Sequence, residues 1–175
     1  MTRNARVFAP AMAAGAAAVA LLTTVAGPAA ADSSSVRWKT IIGIIQAGNV
    51  VAGIGGDGQP WSTLGGEARV DLASGETEFE VRGLVLAGGN AIGTPDGIAS
   101  VKGTLVCAAG TANQVVRDTA GVTLSAQGDA EFDGNIGPIP AACTPTNTAF
   151  LVRINNPPPG DRWIVNGAVR SSHGD

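Results

Sequence analysis

The chain has no tyrosine, a single histidine, two cysteines and few aromatic residues of any kind. Each shortage removes a class of chemistry. One histidine cannot by itself build a zinc or copper site, which draws on several His or Cys ligands. A Ser-His-Asp or Cys-His machine needs its base held beside a nucleophile. His173 follows the last strand-like segment in a polar tail, which offers no such scaffold. No catalytic residue, metal ligand or cofactor is therefore assigned. Cys107 and Cys143 lack the Cys-x-x-Cys spacing that redox work uses. Basic charge is scarce as well: eleven Lys and Arg stand against fourteen Asp and Glu, a net charge of −3. That balance argues against nucleic acid and anionic membrane surfaces as partners.

What is present begins with an export signal. Arg3 and Arg6 precede an uncharged apolar stretch from Val7 to Gly27, and Ala29 and Ala31 fit the small-x-small cleavage pattern. Residues 1–31 are expected to form a signal helix, cut before Asp32. An uncleaved anchor is the alternative, since the run is nearly long enough to span a bilayer. Its Ala and Gly content and the cleavage site at its end favour the signal peptide. Residues 32–175 are then one secreted domain, extracellular or cell-surface associated, with no membrane contact after cleavage. Arg3 and Arg6 leave with the signal, so the mature chain is more acidic still. Arg outnumbers Lys nine to two and Ala and Gly are abundant, the bias of a GC-rich bacterial genome.

Helical periodicity nearly vanishes after residue 31, and alternation with period two takes over. Arg37–Ile45 reads as a strand whose run of isoleucines is buried on both faces. In Glu67–Ala73 the residues Glu67, Arg69 and Asp71 point out, and Ala68, Val70 and Leu72 point in. Ser74-Gly75 makes a tight turn, and Thr77–Leu86 returns with Glu78, Glu80 and Arg82 on one face. Ala99–Cys107 is the next strand, and Val115–Arg117 is a short one. Val122–Ser125 and Asp129–Ile136 read as a hairpin around Gln127-Gly128. Ala149–Ile154 and Trp163–Val169 form the last pair. About eight short strands at regular spacing predict an all-β, single-domain antiparallel β-sandwich or open barrel.

Export favours a disulfide between Cys107 and Cys143, the one intramolecular pairing two cysteines allow. Carboxylates are the only plentiful reactive groups. Asp129, Glu131 and Asp133 resemble the start of an EF-hand calcium loop, but its twelfth position is Pro140 where a bidentate Glu is required. A strand alone explains their spacing, with a weak surface calcium site as the other reading. Trp61 lies in a Gly-rich loop with Asp57, and both are candidates for ligand contact. The glycines of Gly53–Gly58 lack the Lys-Ser/Thr and the strand-to-helix context of a phosphate loop.

The runs Phe79–Asn90, Gly103–Cys107 and Trp163–Ala168 resemble a group of small exported bacterial all-β proteins of unassigned activity. Val122–Asp129 resembles a strand pair of the chordin-like (CHRD) domain, another all-β module. Strands of that domain usually carry histidines, and this core has none, so no metal role is carried over. The resemblance implies fold and secretion rather than chemistry.

The function expected is a non-enzymatic extracellular or cell-surface module that contacts a protein or a wall glycan through its loops. Two alternatives stand beside it. One is a hydrolase using paired carboxylates. The other is a structural protein assembling through an unpaired strand edge at Ile41–Ile45.

Overall fold

The computed structural model describes residues 34–171. The expected signal segment and His173 lie outside the described residues. The strands are β1 (Ser35–Gly43), β2 (Val50–Val51), β3 (Ile54–Gly55), β4 (Trp61–Ser62), β5 (Gly65–Asp71), β6 (Glu76–Arg82) and β7 (Val85–Leu86). They continue with β8 (Ser100–Cys107), β9 (Val115–Asp118), β10 (Val122–Thr123), β11 (Ala130–Asn135), β12 (Thr148–Ile154) and β13 (Trp163–Ser171). No helix occurs among the described residues.

Alternation drives the long strands into one antiparallel sheet, ordered β10-β8-β12-β13-β1-β5-β6-β11, with β9 also paired to β8. In β6 the buried Thr77, Phe79 and Val81 alternate with Glu76, Glu78, Glu80 and Arg82 on the open face. Burying one face of every strand forces the sheet to curl, because a flat sheet would leave that face wet. Gly103 of β8 records the curl. A side chain there would come within 2.9 Å of Phe79 in β6, four strands beyond β12 in the path, and within 2.8 Å of Phe150 in β12. Phe150 also packs on Trp38 at 5.5 Å between ring centroids, and Phe79 on Phe132 at 6.0 Å. The molecule is thus an open barrel made of a single curled sheet, rather than two facing sheets.

Both ends of the barrel are plugged. At one end Ile136 and Cys143 are buried and Ile139 packs beside them. A disulfide ties Cys143 to Cys107 at the end of β8, with Cα atoms 5.1 Å apart. At the other end β4 pairs with β7, and Trp61, Leu84 and Leu86 are buried.

Three local readings need correction. The strand expected over Thr77–Leu86 breaks at Gly83, whose φ is +60°, and Val85–Leu86 pairs with β4 instead. The Gln127-Gly128 turn forms, with Ser125 N–H donating to the Asp129 carbonyl at 2.9 Å. Its two arms do not pair with each other, however: β10 joins β8 and β11 joins β6, at opposite ends of the sheet. That turn therefore links the two ends of the curled sheet. The isoleucine run is not buried on both faces. Ile41 and Ile44 are buried, whereas Ile42 is 40% and Ile45 83% exposed. The run pairs with β13 on one side, while on the other the ladder to β5 ends at Trp38.

Candidate functional site

The outer face of β1, β5, β6 and β11 carries a lattice of charge, because register places outward residues in rows. Arg37 stands opposite Arg69, Arg69 opposite Glu78, and Glu78 opposite Asp133. In the next row Glu67 stands opposite Glu80, and Glu80 opposite Glu131. Positive charge thus gathers toward β1 and β5, and negative charge toward β6 and β11. Arg37 bonds Glu67, and Arg82 lies 3.3 Å from Glu80. Glu78, Glu131 and Asp133 have no ion pair among the described residues. Like charges directly opposed across a ladder are destabilising, so this arrangement costs the fold something. A shallow depression of about 410 Å³ lies over these rows.

Beside it, on the same outer surface, is a groove of another character. Beyond Trp38 the ladder between β1 and β5 stops. The Thr63 hydroxyl caps the Ile41 carbonyl at 2.9 Å, and the parted chains leave a groove of about 350 Å³. Ile42, Ile45 and Leu64 line it, and no charged side chain does. Leu64 is 89% exposed. Gly65 belongs to the groove and Glu67 to the charged depression, so the two features adjoin along β5.

Of the sequence-derived candidates, Trp61 lines the groove, Glu131 and Asp133 line the charged depression, and Asp57 and Asp129 lie outside both. Trp61 is only 2% exposed, and its indole N–H donates to the Asp57 carboxylate at 2.8 Å. Both residues help close one end of the barrel, and Trp61 forms part of the wall of the groove. Trp38 and Trp163 are buried too, so none of the tryptophans offers a stacking face. Asp129, Glu131 and Asp133 share the open face as the strand reading required. They do not converge: no cluster of three metal-ligating side chains exists among the described residues. The Asp129 carboxylate instead accepts the Gly83 N–H at 2.9 Å.

One polar cluster gave no sequence signal. Asp118 of β9 accepts from Lys102 at 2.8 Å and from the Thr104 hydroxyl at 2.8 Å, and lies 3.3 Å from the buried Arg153. Arg153 also bonds the Asp161 carboxylate and, at 2.8 Å, the Asp161 carbonyl. Partial burial pushes the Asp118 carboxyl up. The Lys102 and Thr104 hydrogen bonds, with the charges of Lys102 and Arg153, outweigh it and hold the group below the usual carboxylate range. Each acid is matched by a base, so the cluster ties strands together. No family model, no curated protein and no solved structure matches the chain.

Proposed function

We propose that this chain is an exported, non-enzymatic extracellular module that docks another protein at the uncharged groove between β1 and the Trp61–Gly65 segment. The exposed Leu64 and Ile45 at its rim carry this reading. Large apolar side chains clustered at an uncharged groove and bordered by charge have the anatomy of a protein interface, with a dry centre and a polar rim. A wall glycan fits less well, because sugar rings are usually gripped by exposed aromatic faces and the tryptophans here are buried. Export is part of the proposal, with cleavage after Ala31, and the Cys107–Cys143 bond is compatible with it.

A photo-reactive residue at position 64 or 45 of the mature protein tests the docking reading on the producing cells and in their medium. Protein adducts are expected at these two positions and not at Asn113, an exposed position far along the chain. Equal labelling at all three positions, or none at any, would defeat it. Intact mass of the secreted chain tests the cut before Asp32.

A second reading rests on the opposed carboxylates Glu80/Glu131 and Glu78/Asp133. A hydrolase could use such a pair as acid and base. The pairs sit in an open depression on an outer face, where water is not excluded and a general acid gains little from its surroundings. Turnover of glycoside or ester substrates that disappears in Glu131→Gln would favour this reading.

A further inference from the structure

The groove and the acidic rows share one face, and together they specify a kind of partner. We propose that the docked partner is an extended polypeptide segment that places apolar side chains against Ile42, Ile45 and Leu64 and basic side chains against Glu78, Glu131 and Asp133. The inference rests on the docking reading above and adds the chemistry of the partner to it.

Charge complementarity carries the choice. Glu131 and Asp133 have no ion pair among the described residues, and Glu78, which faces Arg69 on one side, stands directly opposite Asp133 across the β6–β11 ladder. Arg69 stands on the β5 side only, so the β11 acids remain unmatched. Cationic side chains brought by a partner relieve this repulsion from outside, converting a cost of the free protein into affinity for the complex. The groove adjoins the charged depression along β5 and is lined by no charged side chain, so it rejects a purely basic segment and rewards an apolar one. A second copy of the chain fits poorly. The exposed apolar part consists of three side chains, well short of the roughly 800 Å² per partner that a stable dimer buries. A short segment with a few anchors matches that area better, since a handful of buried contacts can dominate such binding.

The test is a random peptide display selection on the mature protein, with the Leu64→Asp variant as counter-selection. Leu64 is almost wholly exposed, so the variant keeps the fold. Enriched peptides are expected to carry apolar residues flanked by Lys or Arg. Their affinity should fall about tenfold or more in Leu64→Asp, and about tenfold in the Glu131→Lys/Asp133→Lys double variant. It should also weaken as salt rises. Enriched peptides that are apolar but not basic, or whose affinity survives the double charge reversal, would overturn the inference and leave the docking reading standing. Failure to enrich anything that distinguishes the wild-type protein from Leu64→Asp would overturn both.

Discussion

Acid should act on this protein through Asp118. Its folded-state carboxyl is held below the ordinary value, so its contribution to stability is present above the unfolded value near 4 and is lost as pH falls through the lower folded one. Asp118→Asn should destabilise at neutral pH by about 2 kcal/mol. That is less than the loss of a fully buried pair, because water reaches one side of the carboxylate. Urea unfolding from pH 7 to pH 2 checks the sign: the gap between variant and wild type should close below about pH 4. A second residue offers the opposite effect. The Thr148 hydroxyl oxygen is buried without a hydrogen-bond partner among the described residues. Thr148→Val keeps the β-branched shape and removes that group, so stability should rise by about 1 kcal/mol in the same assay. Neither role can be read from the sequence. Lys102, Asp118, Arg153 and Asp161 lie far apart along the chain, and only strand pairing brings them together.

Two connections decide whether the strands become a barrel. The Ser125–Asp129 turn joins the ends of the curled sheet, and Gly128 is its tightest point. Its φ is +84°, its carbonyl accepts the Leu84 N–H at 2.8 Å, and an added Cβ would overlap the Leu84 backbone. Gly128→Ala should therefore cost about 3 kcal/mol or more, from backbone strain and steric overlap together. Hydrogen exchange should locate the loosening in β10 and β11, where the ends of the sheet meet. The second connection is the 136–147 segment that plugs one end. Cys107 and Cys143 are 36 residues apart, and closing a loop of that size is worth about 4 kcal/mol in the chain-entropy model. The Cys107→Ser/Cys143→Ser variant should lose roughly that amount in denaturant unfolding. Exchange should rise first in residues 136–147. The hairpin reading of β10 and β11 went wrong because a tight turn fixes where the chain reverses, not which neighbours its arms then choose. Here β8 and β6 offered longer partners than the arms offered each other.

For the molecule as a whole, Leu64 at the rim of the groove stands clear of the core. Leu64→Asp should leave the unfolding free energy within about 0.5 kcal/mol of wild type, as expected for a residue exposed this fully. A larger loss would show that Leu64 packs in the folded chain and is not held out for a partner. The same variant is the control on which the binding experiments depend.

The sequence by itself determined the local pattern. Period two in Glu67–Asp71 and Glu76–Arg82 assigned strands and faces correctly, because a strand buried on one side leaves that signature in adjacent residues. It also determined the cysteine pairing, since only one is possible. Tertiary structure alone decided everything that depends on which strands meet. Trp61 looked free because a Gly-rich loop carries no mark of burial, yet the loop folds over the barrel end and buries it. The acids were legible as an exposed face, while their direct opposition across β6 and β11 was not, because register is set by pairing. Exposure of Ile42 and Leu64 was hidden for a related reason. Apolar residues normally signal a core, and only the divergence of β1 from β5 left these two at the edge of an open groove.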